Sequence, residues 1–370
     1  MTDYHARLEA VRGTLHEKDL DALVVTHPSN RFWLTGFTAH DTAPNESSGH
    51  LFITATDALL VTGSVNVTQA AAQAPHIRVE TREGGWAAAD SKALLELGVK
   101  RAGYEAQAML DGVLRGINDE LTKQGKPVGW SAVDGLVEEF RAVKTVDELA
   151  LIRKAFEITC AAFERVAPTI AAGQTEWEVA WKIHQAYVEL GSEGPAFPTI
   201  VAAGTHAARP HHEPGERRIE AGVPIVIDMG ASYHGYNADL TRTVWVGEPD
   251  AKLREVYAIV DNAVEAVFER LHAGMTGKEM DAAARDYISA RGYEKEFSHG
   301  LGHGIGVRVH EGPSASKDSE DVLKPGNVIT IEPGIYLPEW GGVRIEDVVL
   351  ITEDGFEVLT SAAAKHRIPT

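Results

Sequence analysis

The chain has 370 residues, enough for two domains with real cores, and its 44% hydrophobic and 24% charged residues are those of an ordinary globular protein. A formal net charge of −19 excludes nucleic acid and anionic membrane as partners, since both need basic surfaces. The single cysteine, Cys160, excludes an intrachain disulfide framework, and neither a basic-then-apolar leader nor a membrane-length apolar run is present, so a cytoplasmic protein is expected.

Leu8, Val11 and Leu15 at helical spacing predict an amphipathic helix over 4–18. Ala22–Val25 predicts a short buried strand. Apolar runs at 51–53 and 59–61 then alternate with helical stretches near 67–72 and 91–97, the pattern of a smaller α/β N-terminal domain. Thr145 and Glu148 form a capping-box pattern opening a helix with Leu149, Ile152, Phe156, Phe163 and Val166 at helical spacing. A boundary follows there, with domains 1–143 and 144–370. Cys160 lies in the same apolar pattern and is expected to pack rather than react.

Beyond the boundary, helices are predicted near 147–169 and 175–190, a hairpin from 223–230 and 238–246, and further helices near 250–271 and 277–291. Gly-rich and strand-like segments run to the end. Long helices interleaved with hairpins imply an α+β domain over a largely antiparallel sheet.

The residues able to do chemistry fall in this second part. Asp228 ends an apolar strand and Asp239 opens the returning one, so a hairpin can face their carboxylates together. His303 sits in a run with glycine at alternate positions, which lets backbone and ligand approach closely. Glu332 lies between Ile329-Thr330-Ile331 and the Pro333-Gly334 turn. In Val343-Arg-Ile-Glu346 the period of two puts Arg344 and Glu346 on one face. Taken singly, each has a plainer reading: turn aspartates, a surface Arg/Glu ladder, surface histidines. Taken together, four carboxylates and a histidine suit two divalent cations, whose charge would cancel that of carboxylates otherwise repelling one another.

These segments together resemble the metal-dependent peptidases of the pita-bread fold, and among them the Xaa-Pro peptidases, prolidase and aminopeptidase P. Asn30-Arg-Phe-Trp-Leu-Thr-Gly-Phe37 is similar to an N-terminal motif of that family. Arg141-Ala-Val-Lys144 with Asp147-Glu148 and Ile152-Arg-Lys-Ala155 is similar to its interdomain junction, and the five metal-ligand contexts follow in its order. The resemblance implies a C-terminal pita-bread (creatinase/aminopeptidase-like) domain behind a creatinase-like α/β N-terminal domain. It implies that Asp228 and Asp239 hold one metal, that Asp239 and Glu346 bridge to a second, and that His303 and Glu332 complete it. Mn²⁺ is the family's usual metal, and Co²⁺ or Zn²⁺ also suits the ligands. In the family a hydroxide between the metals attacks the Xaa-Pro carbonyl, and the residue matching Glu332 handles its proton. His310 matches the histidine that stabilises the tetrahedral intermediate and His211 the one on the proline side. His299 matches a histidine lining the site, and Arg344 an arginine behind the ligands. Short proline-containing peptides as substrates and a homodimer are also implied.

Proline has no amide N–H, so recognition must rest on ring shape, with Phe197-Pro198, Tyr233 and Tyr336 as candidate walls. The sequence departs from the family at Ser314, where many prolidases carry an arginine that clamps a dipeptide's carboxylate; Lys317 is the nearest cation in sequence. Dipeptidase is kept ahead of aminopeptidase P, which acts on longer peptides. A non-enzymatic peptide- or protein-binding module on the same fold is the rival from another class. In the polar loop 38–48, Asp41 or Glu46 is a candidate to reach a partner subunit's site, an idea that unchanged kinetics in Asp41→Ala and Glu46→Ala proteins would remove.

Overall fold

Helix α1 (Tyr4–Glu17) starts where the Asp3 carboxylate accepts the Ala6 N–H, and it buries Leu8, Val11 and Leu15. The computed structural model describes residues 2–43 and 45–365. Two compact units result, the first ending at Arg141 and the second beginning at Ala142.

In the first unit, β1 (Ala22–Val25) leads into α2 (Pro28–Thr35), which the Asn30–Phe37 motif forms and Gly36 closes at φ 77°. Strands β2 (Gly49–Thr54) and β3 (Ala58–Thr62) follow, then α3 (Val67–Gln73), β4 (Arg78–Thr81), α4 (Trp86–Glu96), β5 (Arg101–Tyr104), α5 (Asp111–Lys123), β6 (Gly129–Ala132) and α6 (Leu136–Ala142). The sheet runs β4-β3-β2-β1-β5-β6, antiparallel at β1/β2 and β2/β3 and parallel elsewhere. Asp41, from the polar loop, is engaged inside this unit: Arg31 Nη2 donates to it at 2.7 Å and Ser48 N–H at 2.8 Å.

The second unit repeats one scheme, a helix pair packed on antiparallel strands. Its first half has α7 (Val146–Val166) and α8 (Glu176–Glu189), each opened by a complete capping box from Thr145/Glu148 and Thr175/Glu178. Against them lie β7 (Gly194–Pro195), β8 (Ile200–Ala203), β9 (Ile225–Met229), β10 (Ala231–Tyr233), β11 (Tyr236–Asn237) and β12 (Leu240–Val244). One apolar cluster joins Phe163, Val179 and Ile183 to Ile227 and Leu240. Cys160 belongs to it, and burial pushes its thiol up to about 11, as befits a packing residue.

The second half has α9 (Ala251–Phe268) and α10 (Gly277–Ser289), with β13 (Gly302–Gly304), β14 (Glu311–Ala315), β15 (Val328–Ile331), β16 (Gly334–Leu337), β17 (Gly341–Arg344), β18 (Asp347–Thr352) and β19 (Gly355–Val358). Val260, Val264, Met280 and Ile288 pack there on Ile329, Val343 and Ile345. Every strand pair of this unit is antiparallel. Among the described residues no helix is long and apolar enough to cross a membrane.

Candidate metal centre and its cavity

The predicted hairpin is β9 paired with β12, with Asp228 opposite Thr241, while the chain between them makes a second hairpin, β10/β11. Asp228 is therefore one pair in from the strand end, and Asp239 sits just before β12. The second half reaches over by main-chain contact, Glu346 N–H donating to the Thr241 carbonyl at 3.0 Å. This brings Asp228, Asp239 and Glu346 together, each with an oxygen within 4.8 Å of the others. His303 and Glu332 adjoin them: His303 Nε2 lies 3.2 Å from Glu332 Oε1 and 3.9 Å from Asp239 Oδ2.

The surface-ladder reading of Arg344 and Glu346 fails, because they are 3% and 1% exposed. Both faces of 343–346 are buried: β17 ends at Arg344 and the chain steps at once into β18 of another sheet. Arg344 donates from Nη2 to Asp228 Oδ2 at 2.6 Å, from Nη1 to the Tyr336 hydroxyl at 3.0 Å and from Nε to Thr241 Oγ1 at 3.1 Å. The glycines around His303 prove to serve strand packing, since a Cβ at Gly302 would run into the Thr330 carbonyl and one at Gly304 into that of Gly312.

The donor set fits divalent cations. Asp228 Oδ1 and Glu346 Oε1 are buried with no hydrogen-bond partner among the described residues, and an ionised carboxylate oxygen can be satisfied only by a donor or a cation. His303 Nδ1–H donates to the Gly304 carbonyl at 3.1 Å, which in the neutral ring leaves the Nε2 lone pair facing the carboxylates, as a metal ligand requires. Burial and the charges of Glu346 and Asp228 push Asp239 well above the carboxylate range; burial with Glu332 and Asp228 does the same to Glu346. Burial opposes charge on His303 and Glu332 alike, yet their mutual bond and attraction, joined by His299 and Arg344 at Glu332 and by the Gly304 carbonyl and Asp228 at His303, outweigh it, raising the imidazole and lowering the carboxyl to about 2.

One consequence is measurable. Groups with folded pKa values above their unfolded ones stabilise at low pH, and that stability is lost as pH rises through the folded pKa. Chelator-stripped protein should therefore lose melting temperature from about pH 5 upward, as Asp239 and Glu346 are forced to ionise side by side. Glu332 acts oppositely, its contribution being lost only as pH falls from the carboxylate range toward about 2. Bound cations should remove the neutral-range slope; equal slopes for stripped and loaded protein in thermal melts from pH 5 to 8 would contradict this account.

A cavity of about 850 Å³ opens on the cluster, within the range of small-ligand sites. Asp228, Asp239, His303, Glu332 and Arg344 line it, together with His299, His310 and His211. His310 lies edge-on to His303 with ring centroids 4.3 Å apart, and burial with the neighbouring His303 lowers its pKa. His299 Nδ1–H donates to the Gly300 carbonyl at 2.7 Å and its Nε2 takes the Tyr336 hydroxyl at 2.9 Å; burial keeps this ring neutral too. Phe197 and Pro198 are wall residues, whereas Tyr233 and Tyr336 are not: Tyr233 packs against the first-half core, and Tyr336 bonds to His299 and Arg344 behind the wall. Ser314 is also absent from the lining, its N–H donating to Asp321 on the β14 side.

Three contributors went unread in sequence. Thr330 accepts the His303 N–H and donates to Glu332, and the period of two in Ile-Thr-Ile-Glu already put Thr330 and Glu332 on one face. Thr241 orients Arg344 and the 346 backbone. Arg209 lines the cavity with no side-chain partner among the described residues, and nothing local marks it.

Comparison with known proteins bears on this arrangement. Residues 150–353 match the model of metallopeptidase family M24, and residues 7–143 that of the creatinase/prolidase N-terminal domain. An Xaa-Pro dipeptidase of Pyrococcus furiosus is 48% identical over 228 residues, 62% of this chain and 66% of that protein, so the match spans just under two thirds of the relative's length. The solved Xaa-Pro dipeptidase from Bacillus anthracis superposes with a TM-score of 0.90 at 35% identity, covering 99% of both chains. The X-Pro aminopeptidase from Thermotoga maritima superposes at 0.87 with 34% identity, over 96% of this chain and 97% of that one.

Proposed function

The chain belongs to metallopeptidase family M24, and from that premise we propose that it hydrolyses the Xaa-Pro bond of short peptides, with dipeptides ahead of longer ones. The observation that carries the reading is the cluster of Asp228, Asp239, Glu346, His303 and Glu332 at an 850 Å³ cavity. Asp228, Asp239, Glu346, His303 and Glu332 would hold two divalent cations, Mn²⁺ by family habit, with Co²⁺ and Zn²⁺ also suited. Such ions supply Lewis acidity toward a carbonyl and make a nucleophile of water near neutral pH.

The chain's own residues do the rest. Glu332 carries the proton between nucleophile and leaving nitrogen. Neutral His310 donates a hydrogen bond to the developing oxyanion, while His211 faces the proline side. Arg344 fixes Asp228 through a charge-assisted bond, and the Tyr336 hydroxyl links it to His299. Phe197, Pro198 and Pro210 offer apolar wall to a ring that cannot donate a hydrogen bond. With Ser314 out of the cavity, Arg209 is the cation available for a dipeptide's carboxylate. We assign the chemistry to 144–370, and a homodimer acting in the cytoplasm completes the proposal.

The test is hydrolysis of Ala-Pro against Ala-Pro-Ala by protein stripped with chelator and reloaded with Mn²⁺. Metal-dependent cleavage favouring Ala-Pro is expected, with Arg209→Ala raising KM for Ala-Pro by about tenfold or more, as loss of a charged contact should. Preference for Ala-Pro-Ala would make the protein an aminopeptidase P. Cleavage of neither, with metal bound, would return it to the class of binding modules.

A further inference from the structure

Helix α8 begins with Glu176, whose carboxylate is fully buried and has no part in the chemistry above. A single stretch of chain fills both its oxygens. Oε1 accepts the Ala203 N–H at 2.9 Å and Nδ1–H of His206 at 2.9 Å; Oε2 accepts the Gly215 N–H at 3.2 Å and Nε2–H of His212 at 2.9 Å. The donors come from the start, middle and end of 203–215. Regular structure in this stretch is limited to the last residue of β8 and a 3₁₀ turn over Gly204–Ala208. After that turn come Arg209, Pro210 and His211, all walls of the cavity. From the opposite side, Arg344 Nη1 reaches the Pro210 carbonyl at 3.4 Å.

We propose that Glu176 is a positioning residue, a buried clip that holds the 203–215 loop so that Arg209 and His211 meet the substrate. A loop closed only at its ends samples many conformations, and every donor pinned to one rigid carboxylate removes some of that freedom. The carboxylate must keep all four donors, because burial makes any lost partner costly. The spacing of Glu176, His206 and His212 would also suit a cation. With two N–H donors on each oxygen, however, the carboxylate's acceptor capacity is already used. The loop's substrate role rests on the Xaa-Pro reading; the clip itself does not.

The experiment compares wild type with Glu176→Gln, whose amide turns a donor toward donors, and with His206→Asn and His212→Asn, which each remove one imidazole. The expected result is a KM for Ala-Pro raised about tenfold or more with kcat within a few-fold, unchanged metal content, and faster amide hydrogen exchange over 203–215. Both histidine variants should show smaller shifts of the same kind; His206, which is outside the cavity lining, keeps the test open if Glu176→Gln does not fold, whereas for His212, a cavity wall, the exchange over 203–215 is the deciding readout. An unchanged KM with only a lower melting temperature would overturn the proposal in favour of a simple fold brace. Loss of a bound ion from either histidine variant would overturn it in favour of a metal site. Should wild type cleave no Xaa-Pro peptide, the Xaa-Pro reading falls, and unchanged exchange over 203–215 would then overturn the clip as well.

Discussion

Glu332→Gln is expected to lower kcat by about 10²–10⁴-fold, the range lost when a positioned proton carrier is removed. Glutamine keeps the shape and one oxygen but cannot take a proton. The carboxylate is well placed to do so: it follows β15, its N–H is tied to the Leu301 carbonyl at 2.9 Å, and Thr330 Oγ1 donates to Oε1 at 3.2 Å. At about 2 its pKa would make a poor base, but the charged His303 beside it is what holds it there. A cation taking the Nε2 lone pair would keep that imidazole neutral but would itself hold Glu332 ionised, so the carboxylate takes the proton only in passing, between nucleophile and leaving nitrogen.

Because Glu332 is also a proposed ligand, metal content has to be measured with the rate. Loss of kcat with both ions bound, unrelieved by excess Mn²⁺, is the expected pattern. Recovery to within tenfold of wild type in excess metal would reduce Glu332 to a ligand and leave the proton carrier unidentified.

What the sequence could tell depended on how local the signal was. The capping box at Thr145/Glu148 lies within one helical turn, and its pattern recurs at Thr276/Glu279. Asp239 and Glu332 flank strand ends and Asp228 lies one pair in from one, all close to turn residues, so their contexts were readable one by one. Their meeting was not, because it depends on β17 and β18 belonging to different sheets and on the contact between Glu346 N–H and Thr241. Alternation in 343–346 failed as a guide to exposure for the same reason: the step between sheets buries both faces. The partners of Glu176 lie 30 and 36 residues along the chain, on imidazoles that a linear reading leaves at the surface. Thr241 and Thr330 are ordinary strand formers, and only geometry gives them work.

Arg344→Met is expected to weaken metal binding and activity by about 10–100-fold, as when a group orienting a ligand is lost. It should also destabilise the protein, and more so without metal. Arg344 is 3% exposed and its guanidinium serves Asp228, Tyr336 and Thr241 at once. Its removal leaves Asp228 as a largely buried carboxylate among carboxylates, a change that costs up to about 3–5 kcal/mol where no other cation compensates. Bound metal is such a cation, so part of the loss should disappear on reloading. Arg344→Lys should restore little, since one ammonium on a flexible stem cannot span three acceptors set out for a planar fork. Melting curves and metal competition on both variants, with and without chelator, decide the matter. A lysine variant equal to wild type would mean that only charge is needed; a stability loss indifferent to metal would mean that Arg344 braces the strands and leaves Asp228 to orient itself.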